Sequence, residues 1–399
     1  MKDTGMQPFG TWRNPAILSY GFRPFFLFGS LYAAAAVAVW VPWFLGFISL
    51  PTAFPPVAWH AHELLFGYVP AVIAGFLLTA VASWTGRPPV AGWRLGALFA
   101  AWLAGRLAVA GSLALGPLAT ALATLIFPIA VKAVVAREII AARNGRNLKV
   151  LAIVGGLTVA QALFHWEIWR FGQSVYGDRL AISATLLLIM LIGGRIIPNF
   201  TGNWLKARGV ARLPAPFSRF DAGAMGLAAV ALAAWTVCDA EVADARLVGV
   251  LLTAAGCAHT LRALRWVPHL TLSEPLVLIL HAAYLFVPAG FLLAGYAAFL
   301  GGASHEAAAV HAWTVGAIGT MMLAVMTRAS LGHTGRTLTA SWPTVAIYVA
   351  VIVAAGARIV VALEPRWTMS LMPFAGGAWI IAFLGFSLAY GPMLLAPRR

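Results

Sequence analysis

Twelve apolar runs, each long enough to cross a lipid bilayer, follow one another along the 399 residues of this sequence. A spanning helix needs about 20 mostly apolar residues, because its backbone polar groups must find partners within the segment. Only 10% of the residues are charged, against about 25% in a typical soluble domain. We therefore expect an all-α polytopic membrane protein with about twelve transmembrane helices. The expected spans are residues 24–46, 59–83, 95–113, 117–136, 150–171, 180–198, 221–238, 247–265, 276–300, 306–328, 342–362 and 369–395.

Basic residues concentrate in alternate loops between these runs. The loops after the second, fourth, sixth and eighth runs carry several Lys and Arg, whereas those after the first, third and ninth carry none. The positive-inside rule then places both termini in the cytoplasm and accounts for the net charge of +15 without a nucleic-acid partner. We expect a single transmembrane domain over residues 1–399, with a cytoplasmic segment 1–23, a helical bundle 24–395 and a short tail 396–399.

Three of the runs share a spacing that suggests an internal repeat. The second, sixth and tenth runs each lead into a Thr-Gly pair, at positions 85–86, 201–202 and 334–335. Arg195 and Arg328 each lie six residues before their Thr, and His62 and His311 each lie 23 residues before theirs. The offsets suggest three pseudo-symmetric four-helix units, with the second helix of each unit lining a shared centre.

Histidines at the ends of apolar runs are the candidate ligands. An ionisable group at membrane depth is costly and usually has a partner or a task. His60 and His62 are about 200° apart on a regular helix, so both cannot face one ligand. If the repeat holds, His62 and His311 are symmetry mates on facing helices, and facing imidazoles can hold a haem or a metal ion. The plainer alternative for each histidine is a hydrogen-bonded interior group.

Arginines inside the runs also need partners. Arg195 and Arg328 could form a cationic pocket for haem propionates or another anion, because a guanidinium pairs two-pronged with a carboxylate. Arg106, within the third run, needs a carboxylate, and Glu63 and Glu167 are candidates for such pairing. Glu63 could equally accept a hydrogen bond from a ligand imidazole.

Five segments together resemble the signature segments of the NnrS family. They are residues 20–27 (YGFRPFFL), 59–63 (WHAHE), 75–80 (GFLLTA), 193–198 (GGRIIP) and 326–336 (MTRASLGHTGR). The resemblance runs from about residue 16 to 395. It implies a bacterial inner-membrane protein that contains haem and copper, has about twelve helices, and accompanies denitrification and the response to nitric oxide.

With this resemblance, the expected function is a haem b protein that binds or processes nitric oxide during denitrification and nitrosative stress. The chain has no CxxCH motif, so the haem would be held without thioether links. The resemblance does not settle which histidine binds which metal. The expected pairs are His62 with His311 for haem iron, His281 with His333 as a second set on the cytoplasmic side, and His60 with His165 for copper.

Two other functions remain open from the sequence. The same His and Arg groups could relay a metal ion, haem or a small anion through a transporter. A weaker alternative is an assembly factor, in which no histidine replacement would matter much. Nitric oxide reduction would also need an electron donor, which the sequence does not identify, and a proton path. Glu63, Glu138 and Glu167 are the only obvious carboxylates near the runs, which argues against proton pumping.

Overall fold

The computed structural model describes residues 15–238, 245–301 and 303–398, and these are 84% helical with no strand. The predicted cytoplasmic residues 1–14 and 399 lie outside the described part. Four short 3-10 turns connect or precede the long helices. The twelve long helices are α1 Phe22–Phe44, α2 Pro56–Thr85, α3 Trp93–Ala110, α4 Ser112–Ala141, α5 Leu148–Phe171, α6 Tyr176–Lys206, α7 Arg219–Val237, α8 Ala245–Leu264, α9 Pro275–Leu300, α10 Ala303–His333, α11 Trp342–Leu363 and α12 Thr368–Leu395.

Eleven of these twelve helices are long and apolar enough to span a membrane. The exception is α3, the shortest at 18 residues, which carries Arg94 and Arg106. The predicted all-α membrane fold is confirmed. Several helices run further than predicted. Among them, α4 begins at Ser112 and includes a kink at Gly116, whose φ is 75°, and α6 continues beyond Pro198 to Lys206. Proline is tolerated inside such helices because neighbouring groups can satisfy the freed carbonyl.

The helices close into one bundle with α2, α6 and α10 at its centre. Helices adjacent in sequence pack against each other, and α12 returns to α1, where Trp379 Nε1 donates to Ala33 O at 3.0 Å. A small apolar cleft is lined only by α2, α6 and α10, and Ile73, Ile192 and Met322 are among its residues. The second helix of each predicted unit therefore does reach a shared centre.

The predicted correspondence between α2 and α10 also appears in the backbone. Each contains a π-helical segment, Glu63–Tyr68 in α2 and Ala312–Gly319 in α10, and each segment begins directly after His62 or His311. A π turn inserts one extra residue per turn and is frequent at functional sites. In α6, counting 23 residues back from Thr201 leads to Asp178, which lies in the first turn of the helix.

Candidate functional site

A cavity of about 680 Å³ lies at one end of the bundle, between the first halves of α2, α6 and α10. We call it the histidine cavity. Its wall is largely apolar and is completed by α1, α7, α11 and α12. The volume falls within the range of roughly 300–1,000 Å³ typical of small-molecule and cofactor sites. The imidazole and charged side chains on its wall are His60, Asp178, Arg179, Glu306, His311 and Arg358.

Four buried polar atoms from residues of this wall have no hydrogen-bond partner among the described residues. They are His60 Nδ1, Tyr68 Oη, Asp178 Oδ1 and His311 Nδ1. Buried polar groups are almost always paired, so an unpaired group calls for a partner such as water, an ion or a ligand. Four such groups around one cavity make it the candidate site for a polar or metal-containing ligand.

Each of the two imidazoles of the histidine cavity is held by a neighbour from another helix. His60, in the first turns of α2, stacks on Trp40 of α1 with ring centroids 3.8 Å apart and planes 20° apart. His311, on α10, accepts a hydrogen bond at Nε2 from the Arg358 guanidinium of α11. Arg358 also contacts Met372 Sδ at 3.2 Å. Arg358 therefore contacts an imidazole and a thioether. Among the described residues it forms no ion pair with a carboxylate, and its positive charge faces the cavity.

Acidic groups reach the histidine cavity from α6 and α10. Arg179 donates to Glu306 Oε1 at 2.7 Å, which joins these two helices. Asp178 lies beside Arg179 in the first turn of α6. Glu167 accepts from the backbone N–H groups of Tyr176 and Gly177 at 3.0 and 2.8 Å, so it caps the start of α6. The sequence therefore missed Asp178 as a cavity residue. It offered Glu167 as a possible partner of Arg106, whereas in the structure Arg106 pairs with Glu63.

A second polar cluster, the buried histidine pair, joins His62 of α2 to His165 of α5. Their Nε2 atoms are 3.2 Å apart, and Thr124 Oγ1 lies 2.8 Å from His165 Nε2. His62 Nδ1 donates to Glu63 Oε1 at 2.7 Å. Because a carboxylate only accepts, the proton of neutral His62 sits on Nδ1, which leaves the Nε2 lone pair directed toward His165.

The carboxylate beside this pair is itself fully engaged. Glu63 is wholly buried and accepts from Arg106 Nη1 at 2.7 Å and from the Tyr32 hydroxyl. The sequence offered Glu63 as a partner either for Arg106 or for an imidazole, and in the structure it serves both. Such a shared carboxylate fixes the tautomer and orientation of a histidine, as it does for histidines that bind metals.

Glycine at position 67 makes room for this arginine. A Cβ added there would stand 3.1 Å from Arg106 Cζ and 3.3 Å from Glu63 Oε2.

We expect Gly67→Ala to lower the free energy of unfolding by about 1–3 kcal/mol, the usual cost of overpacking a filled interior. Gly155→Ala is the matched control, because a Cβ there meets nothing within 4 Å. Midpoints of thermal unfolding, followed by tryptophan fluorescence in detergent, should fall for the first variant alone; equal midpoints would contradict this close packing of Gly67 against Arg106.

One comparison with known proteins covers nearly the whole chain. A model of the NnrS protein family matches residues 16–398. The chain belongs to the NnrS family. Among curated proteins the comparison finds no match. Membership makes the protein, in general terms, a membrane protein of the nitric oxide response.

In this NnrS-family protein the histidines form different pairs from those predicted. The sequence paired His62 with His311 and His60 with His165. In the structure His62 contacts His165, whereas His60 and His311 line the same cavity. The predicted helical angle between His60 and His62 was the useful signal, since the two side chains do face different surroundings. The choice of partner depended on tertiary packing.

The predicted second set does not come together in the NnrS-family chain. His281 lies on α9 and its Nε2 is 2.8 Å from Thr201 Oγ1 of α6. His333, at the end of α10, packs against the rings of Tyr20 and Phe22. Each of these two histidines therefore has its own neighbours from a different part of the bundle.

The two arginines predicted to meet haem propionates lie far from the histidine cavity. Arg195 is 17 residues after Asp178 on α6, about 25 Å along the helix at 1.5 Å per residue. Arg328 lies 17 residues after His311 on α10, with its guanidinium 4.0 Å from the centre of the Phe200 ring. Of these two arginines and Arg358, only Arg358 lines the histidine cavity.

Proposed function

We propose that this protein is a haem b-binding protein of the bacterial inner membrane, with both termini in the cytoplasm, that binds or processes nitric oxide in denitrification and nitrosative stress. The observation that carries the proposal is the histidine cavity, where two imidazoles and four unpartnered polar atoms surround an apolar space of cofactor size. Membership in the NnrS family supports the nitric oxide part of the proposal.

The donor set suits a haem. Imidazole is a common axial ligand of haem iron, and His60 and His311 present two of them from different helices. Arg358 supplies a cation for a propionate and could exchange its contact with His311 for that carboxylate. A haem bound here would supply an iron that binds nitric oxide once the gas replaces one of these two imidazoles. The apolar wall would favour entry of a small uncharged gas and exclude water.

The buried histidine pair is our candidate for copper. Among the described residues no group of three or more His, Cys, Asp or Glu side chains could hold a metal, so this pair would offer two protein ligands. Zinc usually takes three or four protein ligands. Imidazole also suits copper, and Cu(I) accepts two-coordinate sites. The Nε2 atoms, 3.2 Å apart, would have to separate slightly to admit the ion.

Replacing His62 tests the copper proposal. We expect His62→Ala and His165→Ala to lose bound copper almost completely, because each removes half of a two-ligand site. His281→Ala, which removes a buried imidazole with a different partner, should keep the wild-type content. Copper per chain would be measured by mass spectrometry after anaerobic loading with Cu(I). Equal copper in His62→Ala and His281→Ala would contradict the assignment.

A transporter of a metal ion, haem or small anion is the second candidate. What favours it is a separate basic pocket on α6 at the opposite end of the bundle from the histidine cavity, so that openings lie at both ends of the central helices. The haem content separates the two functions. A resident haem should stay near one per chain through purification in detergent, whereas a transported ligand should be present in small and variable amounts.

A further inference from the structure

A deep basic pocket, the α6 vestibule, lies at the opposite end of the bundle from the histidine cavity. It has a volume of about 1,020 Å³ and lies between the start of α5, the second half of α6, the α6–α7 loop and the adjoining parts of α7 and α8. Within the described part of the chain, four cations line it and no carboxylate does. The cations are Lys149, Arg195, Lys206 and Arg262.

The depth of one cation shows that the vestibule is more than a ring of loop charges. Arg195 lies 11 residues before the end of α6, about 16 Å along the helix axis. The Lys and Arg residues that set the orientation of membrane helices lie in loops and at helix ends, where they reach water. The structure gives Arg195 no carboxylate partner among the residues it describes, yet its side chain is exposed to the vestibule. A cation so placed can receive an anion that enters from outside.

A second cation at the vestibule is buried and only partly neutralised. Arg262 is 1% exposed and donates from Nε to Asp221 Oδ1 at 3.2 Å. Arg265 donates to the other oxygen of the same carboxylate at 3.3 Å. One carboxylate thus serves two guanidinium groups. The local charge of the vestibule therefore remains strongly positive.

The wall of the vestibule is preformed and partly apolar. Ala215 N donates to Arg265 O at 3.0 Å, and Arg265 Nη2 donates to Pro216 O at 3.3 Å, so the α6–α7 loop is fastened to the end of α8. Leu191 and Met225 are among the apolar residues that line it, and Phe217, two-thirds exposed, lies at the loop. A basic head region beside apolar surface matches a ligand with an anionic head and an apolar tail.

We propose that the α6 vestibule binds the phosphate headgroup of an anionic phospholipid. Basic pockets between transmembrane helices bind such headgroups on the cytoplasmic side, which is where the charge bias of the loops predicts this end to lie. Arg195 and Lys206 would contact the phosphate, and the apolar residues would contact the first part of the acyl chains. The proposal is independent of haem and of nitric oxide.

Lipid titration of the purified protein tests this proposal. Phosphatidylglycerol in mixed detergent micelles would be added to wild type, Arg195→Gln and Lys206→Gln, and bound lipid would be counted by native mass spectrometry. Each variant should bind the lipid about fivefold more weakly, as expected for loss of one cation near a phosphate. Arg208→Gln is the matched control, because Arg208 stacks on Trp204 and does not line the vestibule. It should bind like wild type.

Two further binding experiments, with a second lipid and with a soluble phosphate, make the result decisive. Phosphatidylcholine should bind more weakly than phosphatidylglycerol, and glycerol 3-phosphate should not displace the lipid. Unchanged thermal midpoints of the lipid-free variants would show that folding is intact, as expected for two exposed side chains. Wild-type affinity in both Arg195→Gln and Lys206→Gln would overturn the proposal. Displacement of the lipid by glycerol 3-phosphate would also overturn it, in favour of a soluble anion.

Discussion

Arg106→Gln is expected to lower the free energy of unfolding by about 3–5 kcal/mol, the largest stability change we anticipate for a single substitution. Glu63 is wholly buried and Arg106 is 6% exposed, so removal of the guanidinium leaves a charged carboxylate without its cation. The loss would spread to the buried histidine pair, since Glu63 also fixes the tautomer of His62. Thermal unfolding of the detergent-purified protein measures the effect.

The control for this prediction is an ion pair on the surface. Arg366 and Glu364 are 3.1 Å apart and are 75% and 52% exposed. Solvated pairs of this kind contribute about 0–1 kcal/mol, so Arg366→Gln should melt almost like wild type. The double variant Glu63→Gln/Arg106→Gln should be more stable than Arg106→Gln alone, because it removes the unpaired charge. If Arg106→Gln melted like Arg366→Gln, the buried ion pair would not exist in the folded protein.

His60→Ala and His311→Ala are each expected to lose most of the bound haem. Each variant removes one imidazole from the histidine cavity. Removal of a residue that only hydrogen-bonds to a metal ligand lowers metal affinity by roughly 10–100-fold, and loss of the ligand itself should lower it at least as much. Haem per chain would be measured by its pyridine complex after purification from haem-replete cells. Thermal midpoints in haem-free protein would show whether folding is preserved.

The matched control variant also shows whether haem binds in the histidine cavity or at the second ligand set that the sequence predicts. His281→Ala removes a buried imidazole that lies against Thr201, and the sequence had placed His281 in a second haem-binding set. We expect this variant to keep its haem. Loss of haem in His281→Ala, with full haem in His60→Ala and His311→Ala, would move the cofactor to the other end of the bundle.

Much of the fold was predictable because hydropathy and loop charge report directly on membrane helices. The twelve helices followed from apolar length. The meeting of α2, α6 and α10 at the centre followed from their Thr-Gly pairs and from the matched offsets of histidines and arginines from these pairs. The π-helical segments did not follow, since they depend on packing around individual turns. These segments rotate the side chains that come after each histidine relative to a regular helix.

The site was only partly predictable, for reasons that particular residues make clear. Asp178 was missed because the sixth span was expected to begin at residue 180, which placed this acid in a loop, whereas α6 begins at Tyr176. Arg358 gave little signal in the sequence, and its contact with His311 depends on how α10 and α11 pack. The exchange of partners among the histidines has the same origin: spacing shows which side chains diverge, and tertiary packing decides what they meet.

The most direct test of the proposed function is an optical spectrum of the purified wild-type protein, oxidised and dithionite-reduced, before and after addition of nitric oxide. We predict a Soret band from about one haem per chain that shifts when nitric oxide is added, and the loss of this band in His60→Ala and His311→Ala. A colourless protein from haem-replete cells, or a Soret band that nitric oxide leaves unchanged, would contradict the proposed function.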